Sequence, residues 1–388
     1  MEKNVKLKIC NHLASIAESI IYHVKNDIID YTDNGLLSGN WGINIFLFYY
    51  SRLKNDKLTY TIASEFAANL ASKINNKYTY CDGLSGIMYA LLHLKEEKFI
   101  DVEFEPVEKE IIEYLKTKLL IEIKQQHYDF LHGYIGIGLY LVKNRISVEE
   151  IVNTLYESAE IDWNRNLFKW KNSMENYNIS LSHGISSIIL FLVKIVNYGS
   201  TDYRCYEMII GGCNYILSQK VDYGKVGSFF PSYSVSNKSI EDKSRLAWCY
   251  GDLGVAYALY KASILLGDDV MQKCALDILQ KTTLRKSSIE TQINDACICH
   301  GTAGLVMFYR RLYLDTKDKI FYDAFNYWLT ETLKYSQFQD GIGGYKTKYI
   351  NEYKNSMSLL MGVSGIGLTF MSCIANDLQK WDEFFLLS

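Results

Sequence analysis

Gly83-Leu-Ser-Gly86, followed by the apolar run Ile87 to Leu94, decides the fold, because the same arrangement returns along the chain. A glycine, two residues, a second glycine and a run of helical length also stand at Gly39-Asn-Trp-Gly42, Gly133-Tyr-Ile-Gly136, Gly251-Asp-Leu-Gly254, Gly301-Thr-Ala-Gly304 and Gly362-Val-Ser-Gly365. A degenerate copy, Gly184-Ile-Ser-Ser187, fills the gap between Gly133 and Gly251. Successive first glycines are 44, 50, 51, 67, 50 and 61 residues apart. A repeat of about 50 residues holds two helices of ~15 residues and two loops. The segment after each glycine pair is apolar nearly all round, as in Ile137 to Val142, and predicts a buried helix. Segments between the pairs are amphipathic: Val107, Ile111, Ile112, Leu115 and Leu119 recur among Glu and Lys at helical intervals. One buried and one half-exposed helix per repeat predicts an all-α fold, an α/α toroid of seven inner and seven outer helices. Seven helical-hairpin repeats closing on themselves form a single domain over residues 1–388 and need no polar capping repeats. The glycines let helices approach closely and permit the turn that enters each inner helix.

Composition narrows the function. Of 388 residues, 48% are hydrophobic and 22% charged, as in globular proteins. No stretch reaches the roughly 18 apolar residues of a membrane span; the best, Ser187 to Val196, is short and carries Lys194. The first residues lack the apolar core of a signal peptide, so a cytoplasmic location is expected. With 41 basic and 44 acidic residues, the net charge of −3 gives no reason to expect nucleic-acid binding. Nine cysteines without a secretion signal read as reduced thiols, and two prolines leave helices uninterrupted.

Equivalent repeats place residues at equal offsets from the first glycine at one rim. Two positions before it stand Leu37, Cys81, Leu131, Ser182, Cys249, Cys299 and Leu360; one position before it stand Ser38, Asp82, His132, His183, Tyr250, His300 and Met361. Cys249 of the fifth repeat, with Cys299 and His300 of the sixth, offers two thiolates and an imidazole from neighbouring repeats. Such a soft set suits Zn²⁺, and three protein ligands leave a fourth position for water or substrate, the mark of a catalytic site. Cys297 remains a competing donor, whereas Cys81 lies across the ring. Cys10, Cys205, Cys213, Cys274 and Cys373 read as core thiols. His183, at the offset of His300, is placed to trade protons near neutral pH. His132 holds the same offset one repeat further away. Asp129 lies on the approach to this rim. Arg245 and Tyr250 bracket Cys249, one suited to holding anionic or carbonyl oxygens and the other to donating a hydrogen bond.

These residues resemble the lanthionine synthetase C-like family, the cyclases of lanthipeptide biosynthesis. The motifs that carry the resemblance are Arg245-Leu-Ala-Trp-Cys-Tyr-Gly-Asp-Leu-Gly254, Cys299-His-Gly-Thr-Ala-Gly304, Leu181-Ser-His-Gly184, Tyr128-Asp-Phe-Leu-His-Gly133 and Gly362-Val-Ser-Gly-Ile-Gly367. They span essentially the whole chain. The resemblance implies an α/α toroid around one Zn²⁺ per chain held by Cys249, Cys299 and His300. It implies acid–base roles for His183 and Asp129, and active-site positions for Arg245 and Tyr250. Ser187 departs from the glycine pattern but spares His183.

The implied reaction adds cysteine thiols of a precursor peptide to dehydroalanine or dehydrobutyrine, forming (methyl)lanthionine thioether rings. A leader-bearing dehydrated precursor is the implied substrate. A separate dehydratase and an exporter are implied partners, with peripheral association at the inner face of the membrane. Two further readings keep the fold: a zinc thiol-prenyltransferase-like enzyme, which usually takes its metal from Asp, Cys and His, and a non-catalytic or glutathione-binding relative. The insert Val221 to Ser244, with Phe229, Phe230, Pro231 and Tyr233, is expected to border the peptide entrance. A second insert, Gln339 to Ser356, is expected at the same opening.

Overall fold

Every glycine pair opens a helix. In the computed structural model, which describes residues 3–74, 76–103, 105–172, 176–233 and 243–388, seven helices start immediately after Gly39, Gly83, Gly133, Gly184, Gly251, Gly301 and Gly362. Seven amphipathic helices alternate with them among the described residues, the number the repeats predict. The chain divides into two compact units, Met1–Glu103 with Asn294–Ser388, and Phe104–Ile293. The first begins with α1 (Lys3–Lys25), α2 (Asn40–Lys54), α3 (Lys57–Ser72) and α4 (Leu84–Glu96). The second holds α5 (Glu105–Lys124), α6 (Tyr134–Lys143), α7 (Glu149–Ser158), α8 (Ile185–Asn197), α9 (Tyr203–Ser218), the short α10 (Tyr223–Val226), α11 (Asp252–Leu266), α12 (Asp269–Thr282) and the short α13 (Ser288–Thr291). It also carries an antiparallel hairpin, β1 (Glu160–Asp162) with β2 (Leu167–Lys169). The first unit resumes with α14 (Thr302–Thr316), α15 (Lys319–Lys334), the hairpin β3 (Thr347–Tyr349) with β4 (Glu352–Lys354), α16 (Val363–Ile374) and a 3₁₀ segment, Asn376–Phe385. None of the described helices is long and apolar enough to cross a membrane.

Helix character follows the sequence. Ile185 to Val193 of α8 and Thr302 to Arg310 of α14 are buried without a break, whereas α1 buries only Ile9, Leu13, Ile16, Ala17 and Ile20, one stripe of a helix. On α5, Leu115 and Leu119 are buried, but Val107 is exposed, so the apolar stripe starts later than its spacing suggests. Three hairpins share one connection. A left-handed residue ends the inner helix (Asn55, Gly267 or Lys317), and the aspartate after it (Asp56, Asp268 or Asp318) accepts a backbone N–H of the outer helix. Each such cap contributes about 1 kcal/mol, and the two-residue link forces α2 on α3, α11 on α12 and α14 on α15.

The glycine-started helices have no side-chain cap. Instead, the first N–H of the helix donates to the carbonyl seven residues earlier: Leu84 to Lys77 (2.9 Å), Tyr134 to His127 (3.0 Å), Ile185 to Asn178 (2.8 Å) and Thr302 to Asp295 (3.1 Å). This folded-back loop explains most of the glycines by space rather than by backbone angle. Gly133 sits at φ −109, open to any residue, but a Cβ there would meet the His127 carbonyl at 2.1 Å. Only Gly251, at φ +96, needs glycine's conformational range among the seven. The loops also bond side by side at the position two before the glycine. In the first unit Leu37 N donates to Cys81 O (2.9 Å), Leu360 N to Leu37 O (2.8 Å) and Cys299 N to Leu360 O (3.1 Å); in the second, Ser182 N donates to Cys249 O (3.2 Å).

Candidate active site

The loops before the glycines hold the polar side chains of both units. In the second unit the turn ahead of Gly133 is organised by Asp129, whose Oδ1 accepts the N–H groups of Leu131 (2.8 Å) and His132 (2.9 Å). Its Oδ2 lies 2.6 Å from Nδ1 of His183, on the loop that starts α8. Burial alone would raise the Asp129 carboxyl, but the His183 hydrogen bond and charge, with the His132 backbone, hold it below its ordinary value. Burial likewise pulls on His183 in the direction of neutrality. The Asp129 hydrogen bond and charge, helped by the Cys249 sulfur, outweigh it and raise the imidazole above its usual value. Both shifts favour the ionised form of the pair, in which Nδ1 of His183 donates to Asp129.

Tyr250 completes this group. Its ring centroid is 6.0 Å from that of His183 and 5.9 Å from Tyr233, and Asn178 Nδ2 donates to its hydroxyl at 3.4 Å. Burial pushes the Tyr250 hydroxyl up to about 12, so it is a donor rather than a base. Asp129, His183, Tyr250, Asn178 and Tyr233 all line one cavity of about 340 Å³. His132 stacks on His183, with centroids 6.4 Å apart and planes 15° apart. Half-buried Arg245 opens the loop to α11, and its side chain takes no part in the Asp129–His183 pair among the described residues. The Arg245 loop is pinned from below. Buried Arg285 donates to Asp252 (3.1 Å) and to the Ser244 carbonyl (2.5 Å), while Asp252 accepts the N–H groups of Phe229 and Phe230. Phe229 and Phe230 are thus core residues rather than part of a peptide entrance, and only Tyr233 of that set reaches the cavity. Residues 234–242 of the same insert lie outside the described residues.

Cys249 is buried in the second unit, on the loop before Gly251. In the first unit Cys299 and His300 stand together before α14, with the sulfur and a ring nitrogen within 4.8 Å of one another. Both are half-buried. The same imidazole has a second set of neighbours, since Asp295, Cys297 and His300 also offer donor atoms within 4.8 Å of one another. Burial pushes the Cys297 thiol up to about 11 against the pull of His300, and its sulfur remains a competing donor beside that imidazole. Asp295 is fully buried; burial would raise its carboxyl, but His300 and the backbone N–H of Lys348 hold it low. Two loops, those of Leu360 and Leu37, stand between Cys299 and Cys81 in the bonded series, so Cys81 belongs elsewhere. Asn178 and Asp295 did not stand out from the sequence, although both lie six residues before the first glycine. There each side chain accepts an N–H two residues on, from Ser180 (2.8 Å) and Cys297 (3.1 Å).

The family model for lanthionine synthetase C-like protein matches residues 30–386. The chain belongs to the lanthionine synthetase C-like family. This lanthionine synthetase C-like chain is 23% identical over 368 residues to "Nisin biosynthesis protein NisC" of Lactococcus lactis subsp. lactis, an alignment covering 84% of the chain and 85% of that protein. Among solved structures, "Nisin cyclase" superposes with a TM-score of 0.77 at 19% identity, covering 100% of this chain and 98% of that one. The lanthionine synthetase C-like chain therefore has the all-α fold of that cyclase, the α/α toroid expected from the repeats.

Proposed function

We propose that the chain is a zinc-dependent lanthipeptide cyclase, adding cysteine thiols of a dehydrated precursor peptide to dehydroalanine or dehydrobutyrine to form thioether rings. The observation that carries the reading is the Asp129–His183 hydrogen bond at 2.6 Å, on a cavity shared with Tyr250, in a member of this family. The donors fit a zinc ion. Cys299 and His300 place a sulfur and a nitrogen within 4.8 Å of one another, and Cys249 is the thiol at the matching loop position of the other unit. We assign Cys249, Cys299 and His300 as the ligands of one ion per chain. Zinc bound by such donors lowers the pKa of a substrate thiol so that it is a thiolate at neutral pH.

The chain's own residues then manage charge and protons. A C–S bond forms at the β-carbon of the dehydro residue, the double-bond electrons move onto the α-carbon and its carbonyl, and the α-carbon takes a proton. His183, protonated through its pairing with Asp129, is the acid that supplies the proton from Nε2. Asp129 keeps the ring in one tautomer and stabilises its charged form. Arg245 and the Tyr250 hydroxyl are assigned to the negative oxygen that develops next to the α-carbon. The reaction is an isomerisation, so nothing leaves. A leader-bearing precursor, a separate dehydratase and an exporter are the proposed partners, in the cytoplasm at the inner face of the membrane. The test is mass spectrometry of a dehydrated precursor before and after exposure to the protein, with thiol alkylation. Each ring should remove one alkylatable thiol without changing the unalkylated mass; an unchanged alkylation count rejects the activity.

A further inference from the structure

We infer that Asp295 is the positioning residue that orients His300 for the metal, an inference that rests on the zinc reading above. Metal-bound imidazoles commonly give their second ring nitrogen to a carboxylate, which fixes the tautomer and the ring plane. Asp295 is built for that part. Its Oδ2 lies 3.6 Å from Nε2 of His300, longer than a hydrogen bond and shorter than any intervening atom would allow. The carboxylate itself is immobile, fully buried and clamped by two backbone donors: Cys297 N to Oδ1 at 3.1 Å and Lys348 N to Oδ2 at 2.9 Å. Both oxygens are thus engaged by the backbone, and Oδ2 keeps a lone pair facing Nε2 of His300. Coordination through Nδ1 of His300 leaves Asp295 to accept the Nε2–H, closing the gap. Lys348 belongs to β3, so the clamp also ties the β3–β4 hairpin to the ring, and Tyr353 of β4 adds a bond to the Asn294 carbonyl at 2.9 Å. Cys297 contributes its backbone N–H to this clamp, and its side chain also meets His300 and Asp295.

The test uses the full chain, histidine labelled with ¹⁵N, with and without Zn²⁺. In the metal-free parent, the His300 resonance should report the Nε2–H tautomer; the Nδ1–H tautomer would overturn the inference even if the Asp295→Asn variant fails to fold. Competition with a chromogenic chelator should give Asp295→Asn roughly ten- to a hundredfold weaker zinc binding, and the cobalt(II) form should change its absorption spectrum. Cys297→Ala should bind zinc as the parent does. Parent-like affinity in Asp295→Asn, or loss of zinc in Cys297→Ala as complete as in Cys299→Ala, would sink the assignment. A parent that binds no zinc rejects the zinc reading, while the tautomer still judges Asp295 separately.

Discussion

Nδ1 of His183 lies 2.6 Å from Oδ2 of Asp129, although the two residues are 54 positions apart and belong to different repeats. The contact joins the loops that start α6 and α8, and it biases the charge state of one of the two imidazoles, His183 and His127, that line the cavity with Tyr250. Removing either partner has distinguishable effects.

His183→Ala should lower the rate of ring closure by roughly 10²- to 10⁴-fold, the usual contribution of a positioned acid. Asp129→Asn keeps the shape but withdraws the charge that raises the imidazole. Its high-pH limb of activity should therefore move to lower pH, read from initial rates of thiol loss across a pH series. An unmoved limb would separate Asp129 from the proton transfer.

The same pair makes stability depend on pH in a defined window. His183 is raised above its ordinary 6.5, so its contribution is fully present below 6.5 and fades as pH climbs through the folded-state value. Asp129 is held below 3.8, so its share is present above 3.8 and is lost as pH falls through the folded value. The difference in thermal midpoint between parent and Asp129→Asn should be largest between these limits and shrink on the alkaline side.

Zinc content should depend on the assigned ligands one by one. Elemental analysis of freshly purified parent should find one ion per chain. Cys249→Ala and Cys299→Ala should each lose most of it, and ring formation with it. Retention of the metal in both variants would move the site elsewhere.

Two glycines allow a controlled comparison of strain. Gly267 has φ +65 with open space around it, so Gly267→Ala should cost about 1 kcal/mol, the price of a left-handed alanine. Gly251 has φ +96, and an added Cβ would meet the Arg245 carbonyl at 1.9 Å. Gly251→Ala should lose at least about 3 kcal/mol in denaturant unfolding, strain and clash together.

Burial makes the Arg285–Asp252 pair costly to break. Burial pushes the Asp252 carboxyl up to about 6 against the pull of Arg285 and two N–H donors, so it is still ionised at neutral pH. Arg285→Met would strand that charge and free the Ser244 carbonyl. Unfolding free energy should drop by about 3–5 kcal/mol, and activity should fall through the neighbouring Arg245. A loss under about 1 kcal/mol would contradict the account.

Much of this was legible in the sequence because it was written in periodic form. Seven glycine pairs marked seven helix starts, and the continuous burial of α8 matches its unbroken apolar run. His183 and Asp129 were named through the family motifs, but their contact was not readable from their positions in the chain. What escaped was written in tertiary contact. Phe229 and Phe230 looked like loop aromatics, yet Asp252 holds their amides inside the core. Asp295 did not stand out, because its partners include a backbone N–H 53 positions later. The two-stranded hairpins left no alternation long enough to read. The reason given for the glycines was also incomplete, since space rather than φ decides most of them.

At the position two before the glycine, the loops grip one another mainly through amide and carbonyl, with one side-chain bond added, from Ser182 Oγ to the Cys249 carbonyl. Most of these bonds do not pass through the side chain carried there, so Leu37, Cys81, Ser182, Cys249, Cys299 and Leu360 occupy equivalent sockets in one frame. Chemistry can be installed in or withdrawn from such a socket while the backbone bonds that align the loops stay in place.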